Sequence, residues 1–600
     1  MGSTRHSTAN TAAPGFEIRI PGWFRKDYVR LAAFALIAAS LVWKGSLFAR
    51  GYFFGDDFNF VARASEQGFG FDYLTSSYGP KLLPVGFAVA WVVTRLGVYD
   101  WTLAWAALLA LQAATSFAVY RMLRTIFGAR AGIVLPLAFY LFTPLTLPGL
   151  LWWAAGLESV PLQLAIALAL TSHVLWVRTG RLPHAVAACC WLVLGFASYF
   201  LKAAVAIPLL ALLVTLAYEG GRPALRHAVP LWTAYAAVFI PCAVLYAARA
   251  DTSDQPVVVP PLDDSLLFLG RLLGRTYPSV AVGGPGGWLG GLADPTALVQ
   301  VVAVALLLGF ALFTIVRRPG AWRAWAILVA YLVLVDYLPV LLGRGTFELQ
   351  ALEPRYLADA ALATALCAAF ATLTDTGERA AIGRLAPVVG LLTGAFLVAS
   401  FLSGETYAGG FEAQRVKAET YMNTARATLA ALPPTTDLYP QRLPTDVLVY
   451  AGVGEANLST HILSPLAPPA LRERMRHPRP SATPKMLDPQ GRLTGFHVCC
   501  GYIVPDQGTR CFPASGGAIT IAFGSSGDPE VGGFHYLDGV AGTATVQVGD
   551  VAFDVPIGAG DGSAYFPLEE KGSALVVKPN PPLTQLCVNA AVLGAAGPSS

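Results

Sequence analysis

Apolar residues in this chain fall into long blocks separated by short polar joints, and the blocks are too long for the interior of a water-soluble domain. The first runs from about 29 to 48. Others cover approximately 101–120, 131–148, 159–177, 184–200, 203–219, 228–248, 296–316, 322–342, 356–373 and 385–402. Each suffices to cross a hydrocarbon layer of about 30 Å as an α-helix, so the pattern predicts about eleven transmembrane helices. A further apolar segment, 81–97, is also long enough on paper. Counting it as a crossing would turn every later basic joint outward, so it is predicted to lie at the membrane surface.

The basic joints fix the expected sidedness. Arg19, Arg25, Lys26 and Arg30 surround the start of the first run. Arg121, Arg124 and Arg130, then Arg178 and Arg181, Arg222 and Arg226, Arg317, Arg318 and Arg323, and Arg379 and Arg384 follow at alternate joints. Cationic loops favour the cytoplasm, which places residues 1–28 inside as a tail and everything after 402 outside. The first run lacks a small-x-small cleavage site and is read as a retained helix of a plasma-membrane protein. Two outer loops stand out, 50–100 and 249–295. In the second, Asp264 to Arg275 reads as an amphipathic helix.

After residue 402 the texture changes. Residues 410–432 read as a helix within a linker (403–445) that ends in a proline-rich connection. From 446 onward, GAITIAFG, GTATVQVGDVAFDVPI, SALVVKP and TQLCVNAAVLG are β-formers between Gly, Pro and Asp turns. A β-sandwich outside the membrane is expected, with carbohydrate binding as one use for it. The stretch from His461 to Pro489 has no periodic signal.

Composition agrees with this reading. Apolar residues make up 55% of the 600 and charged residues 13%, with a mean hydropathy of +0.55. The net charge of +4 is scattered over helix joints and forms no patch, which argues against nucleic acid as a partner. Of eight cysteines, Cys189, Cys190, Cys242 and Cys367 lie in apolar runs. Cys499, Cys500, Cys511 and Cys587 lie in the outer domain and are disulfide candidates. The adjacent pair Cys499 and Cys500 is unsuited to mutual bonding, which leaves Cys511 and Cys587 as natural partners. Zinc is the alternative, without CxxC spacing to favour it.

Candidate chemistry gathers on the outer side. Asp56 and Asp57, in GYFFGDDFNF, follow the first helix directly. Two like charges so close repel unless donors or a cation hold them, and chains tolerate that mostly at working sites. A divalent cation on the pair is one option, and a wet acidic loop is the plain alternative. Glu158 lies in LLWWAAGLESVP with Trp152 and Trp153, Lys202 in ASYFLKAAVAIP, and Arg355 and Tyr356 in FELQALEPRYLADA. Taken singly, Glu158 could cap a helix, Lys202 snorkel to headgroups and Arg355 anchor at the interface.

These features together resemble the GT-C superfamily of integral membrane glycosyltransferases, including the protein O-mannosyltransferase and aminoarabinose transferase branch, across about 25–402. The acidic motif after the first helix is Asp56-Asp57, the surface helix lies within SSYGPKLLPVGFAVAWVVTRLGVYDWTLAW, and the tryptophan-rich turn with an acid is Trp152 to Glu158. The lysine ahead of a proline-terminated apolar run is Lys202, though the usual Lys-Glu pair is Lys202-Ala203 here, which puts a second carboxylate at that point in question. The outer C-terminal domain looks like that of actinobacterial arabinofuranosyl- or mannosyltransferases. The resemblance implies an inverting transfer of a sugar, arabinofuranose or mannose, from a polyprenyl phosphate donor to a cell-envelope glycan. In that scheme Asp56 is the base and Asp57 orients the acceptor or holds a cation. Lys202, Arg355 and Tyr356 meet the donor phosphate, and Glu158, Trp152 and Trp153 meet acceptor or sugar. A transporter or flippase of lipid-linked sugar, and a non-catalytic glycan-binding membrane protein, are the competing classes.

Overall fold

The computed structural model describes residues 22–253, 257–373, 379–448, 457–498, 501–523, 531–538, 540–568, 573–583 and 586–598. It is a polytopic helical bundle followed by a β-sheet domain. Among the described residues, eight helices are long and apolar enough to cross a membrane, and nine if the bent pair Ala131–Phe142 and Pro144–Leu151 is one span. The expectation of eleven differs from this for two physical reasons. Leu182–Tyr218 is a single assigned helix of 37 residues, but the backbone leaves the helical region at Tyr199 (φ −159°, ψ 90°). Beyond that point the chain turns back. A Cβ built on Gly195 would stand 3.1 Å from that of Ala203, and Glu219 returns to pair with Arg178 at 2.6 Å. The two arms, 182–198 and 200–218, correspond to the two separate apolar runs of the sequence, packed closely because Gly195 and Ala203 are small. The other difference is Ala360–Leu373, only 14 residues long and buried through most of its length.

Burial separates the helices into a core and a rim. Trp153–Thr179 has 72% of its apolar window buried, whereas Val229–Arg249, Ala297–Arg317 and Ala386–Gly409 have 11% each. The rim helices show Val301, Leu308, Leu312 and Val316 outward at more than half exposure. Apolar surface on this scale is tolerable only against lipid. Pro84–Leu96 is a helix of 13 residues, about 20 Å long and too short to span. It lies across Asp56–Glu66, with Phe87 against Phe60 at 5.3 Å and Trp91 Nε1 donating to the carbonyl of Gln67.

The bundle has two distinct poles. At one, arginines close the helix ends: Arg178 donates to Thr125 O at 2.7 Å, Arg130 to Leu373 O at 2.8 Å, and Arg323 to Ala217 O at 3.3 Å. At the other lie the 50–100 loop, the Tyr199 reversal and the C-terminal region. Helix Glu412–Ala431, the short helices Ser459–Ile462 and Pro469–Arg476, and Asp56–Glu66 share one apolar core. Tyr99 Oη ties them by donating to the Ile462 carbonyl at 2.7 Å, and His461 Nδ1 lies 2.7 Å from Glu66.

The final unit is a β-sandwich. One sheet orders its strands Val551–Ile557, Gly542–Val548, Ala574–Pro579, Ala518–Ala522 and Ala514–Ser515. The other orders Gly560–Pro567, Val531–Asp538, Cys587–Gly594 and Tyr502–Ile503. Strict alternation builds the inner face: Ile519 and Ile521, then Ala544, Val546 and Val548, are buried while the residues between them face out. Val531–Asp538, central to the second sheet, carries Gly532 and Gly533. The rings of Phe566 and Tyr565 lie over them, within 2.4 Å of where a Cβ would stand. Cys511 and Cys587 form a disulfide. Cys499 and Cys500 lie outside the described residues.

Candidate active site

The acidic pair divides into two roles. Gly55 opens the helix Asp56–Glu66 at φ 52°, ψ −117°, a conformation that side chains with a Cβ avoid. This turn sends the two carboxylates in different directions. Asp57 is fully buried, its Oδ2 accepting from Phe54 N at 2.9 Å and its Oδ1 from Ala154 N at 2.7 Å. Ala154 lies in the first turn of helix Trp153–Thr179, where backbone N–H groups lack partners, so Asp57 caps that helix from a distant segment. Burial pushes the Asp57 carboxyl well above the usual carboxylate range, and the Ala154 and Phe54 N–H groups pull the other way. Both oxygens are engaged by backbone, which ties Asp57 to the start of that helix. Among the described residues no group of three or more His, Cys, Asp or Glu is arranged to hold a metal ion.

Asp56 is half-buried and faces a different set of groups. Tyr78 hydrogen-bonds to it, and the Tyr78 phenol is pushed well above its ordinary pKa by burial first and by the Asp56 charge next. Tyr78 reaches this position through a two-strand turn, Ser77–Tyr78 against Lys81–Leu82, in which Tyr78 and Lys81 are direct partners. Gly79 at φ 55° and Pro80 make that reversal. Tyr246 Oη donates to the Pro80 carbonyl and fastens the turn to the bundle.

Lys81 on this turn is the cation that sequence reading missed as a site residue. Its Nζ lies 3.0 and 2.8 Å from the two oxygens of Glu158 and 5.2 Å from the ring centre of Tyr199. Burial opposes its charge, but Glu158 and the neighbouring phenols outweigh burial and hold its pKa above that of a free lysine. The only sequence signal was its place at the head of an apolar segment. Its partner is 77 positions away.

Arg355 completes the group from the turn Pro354–Leu357. Its guanidinium lies 4.0 Å above the ring of Trp152 and 5.0 Å from that of Tyr356, with Nε 2.7 Å from Glu353 and Nη2 donating to Tyr356 Oη at 3.1 Å. Tyr356 Oη in turn donates to Gln350 at 2.7 Å. Stacking on an indole suits a delocalised, weakly hydrated cation. Burial opposes the Arg355 charge, and Tyr356, Glu353 and Asp56 together hold its pKa above the ordinary value.

Lys202 stands elsewhere. It is 2% exposed, and its Nζ contacts Asp336 Oδ1, Asp359 Oδ1 and the Tyr356 carbonyl, each at 2.6 Å. An ammonium has three protons to donate, and all three are taken. In this arrangement Lys202 holds the Tyr356 backbone and the two aspartates. Trp153, expected to meet sugar, is wholly buried, with Nε1 donating to the Ala104 carbonyl at 3.0 Å. The structure thus brings together Asp56, Glu158, Arg355, Tyr356 and Trp152, adds Tyr78 and Lys81, and sets Asp57, Trp153 and Lys202 behind them as supports.

Neither a protein-family model nor a curated protein matches the chain. Several solved chains resemble it, two of them as follows. The crystal structure of ArnT from Cupriavidus metallidurans bound to undecaprenyl phosphate aligns over 76% of this chain and 92% of its own, at 14% identity and a TM-score of 0.43. The cryo-EM structure of arabinosyltransferase EmbB from Mycobacterium smegmatis aligns over 94% of this chain and 64% of its own, at 14% identity and a TM-score of 0.34.

Proposed function

We propose that the chain is a plasma-membrane glycosyltransferase that moves a sugar from a polyprenyl phosphate donor to a cell-envelope glycan on the outer face. The observation that carries this reading is the convergence of one half-buried carboxylate, Asp56, with two cations, Lys81 and Arg355, at the pole opposite the arginine-rich helix ends. Positive charge at the far pole supports an outward site. Asp56 removes the acceptor hydroxyl proton as that oxygen attacks C1 of the donor sugar. Attack opposite the phosphate inverts the anomeric centre. The departing lipid phosphate gains negative charge, and Arg355 and Lys81 stabilise it as it forms.

Tyr78 keeps Asp56 oriented, and Glu158 holds Lys81 in place through both carboxylate oxygens, which leaves one of its three protons for a ligand. Arabinofuranose and mannose are the sugars proposed. Decaprenyl phosphate titrated into the full-length protein in nanodiscs tests the donor half of the scheme. Lys81→Met and Arg355→Met should each weaken its binding by about tenfold or more, the scale of one lost charge-assisted contact. Unchanged affinity in both variants would remove the phosphate from this site.

A further inference from the structure

Two clefts open beside this site and share a wall. The inner one is bounded by Phe54, Trp152, Glu353, Tyr407 and Phe411. The outer one lies between residues 97–105 and helix Glu412–Ala431. Gly51, Tyr52, Trp101 and Arg415 line both. The inner end abuts the reacting groups, because Trp152 is the plate beneath Arg355 and Glu353 is its ion partner. Phe54, on the same wall, packs edge-on to Trp152 at 5.0 Å and sits two positions before Asp56.

The lining names the ligand chemistry. Asp100, Thr102, Glu419, Asn423 and Arg426 line the outer cleft beside the rings of Tyr52, Trp101 and Trp105. Flat rings that offer an apolar face, interleaved with fixed polar groups, suit a chain of hydroxylated rings. Charge discriminates further. Arg415 is matched by Glu419 at 2.9 Å, and Arg426 and Asp100 offset each other, so the cleft has no surplus charge for an anionic polymer. We propose that the two adjoining clefts form the acceptor site, and that it takes a neutral oligosaccharide several residues long whose end reaches Asp56.

The inference rests on the reading of Asp56 as base, and its test is separate from that reading. Full-length protein in nanodiscs is titrated with neutral arabinofuranose and mannose tetrasaccharides, and in parallel with decaprenyl phosphate. Asn423 is exposed on helix Glu412–Ala431 and lines the cleft, so Asn423→Trp fills it without disturbing a packed core. One of the tetrasaccharides should bind the wild type and Asp56→Asn alike. Asn423→Trp should raise its Kd at least about tenfold and Asn423→Ala by less, with decaprenyl phosphate affinity unchanged. Tetrasaccharide binding that survives Asn423→Trp, or that is absent from the wild type, overturns the proposal. Weaker decaprenyl phosphate binding in Asn423→Trp would make the clefts a lipid lane and overturn it too. Normal turnover by Asp56→Asn would remove the base and leave the saccharide titration standing.

Discussion

Replacing Lys202 by methionine separates an anchor from a phosphate ligand. The side chain keeps its length and loses its charge, so the perturbation is electrostatic. Asp336 and Asp359 would then face one another across a buried site without the ammonium that now sits 2.6 Å from each. Tyr331 Oη, donating to Asp359 Oδ2 at 2.7 Å, satisfies only one of the four carboxylate oxygens. Breaking a buried ion pair by removing one partner costs about 3–5 kcal/mol, because the remaining charge has no compensation. Removing all the charges together is close to neutral. Lys202→Met should therefore melt well below the wild type in nanodiscs, and Lys202→Met with Asp336→Asn and Asp359→Asn should recover most of the loss. Thermal denaturation followed by intrinsic fluorescence reads both, with decaprenyl phosphate affinity measured on the same samples. A Lys202→Met protein as stable as the wild type that has lost lipid phosphate binding would refute the anchor and make Lys202 the phosphate ligand.

The Cys511–Cys587 disulfide closes a loop of 76 positions, for which the chain-entropy argument gives about 4–5 kcal/mol. Cys511→Ser with Cys587→Ser should accordingly lower the melting of the C-terminal domain within the full chain, and an unchanged transition would contradict that. Cysteines introduced near Arg124 and at Asn423 test sidedness by membrane-impermeant labelling of intact cells. The second site should label and the first should not, and the reverse pattern would invert the proposed topology.

Much of the architecture was legible because it rests on composition and period. Apolar blocks mark helices whatever their partners, and β-alternation in Gly542–Val548 and Val551–Ile557 is local. The short helix Pro84–Leu96 could be kept out of the membrane because the basic joints overrule length. Strand Val531–Asp538 was obscured, since its glycines are covered by Tyr565 and Phe566 from a neighbouring strand, a packing fact with no local trace. The same limit governs the site. Asp56 and Arg355 announced themselves through charge beside apolar runs, whereas Lys81 is identified only by Glu158, far away in sequence. Asp57 and Lys202 were singled out for the right reason, as charges needing partners, but the partners proved to be backbone N–H groups and two buried aspartates.

The central claim is that Asp56 acts as the base, and Asp56→Asn tests it most directly. Asparagine preserves the size of the side chain and its contact with Tyr78 while removing the basic carboxylate. Transfer from a polyprenyl phosphate sugar should be measured by single-turnover product formation in nanodiscs, with decaprenyl phosphate binding recorded on the same preparation. The account predicts that transfer falls by roughly 10²–10⁴-fold, the scale of a lost general base, while donor binding persists through Lys81 and Arg355. Transfer near the wild-type rate in Asp56→Asn, with donor bound normally, would contradict it.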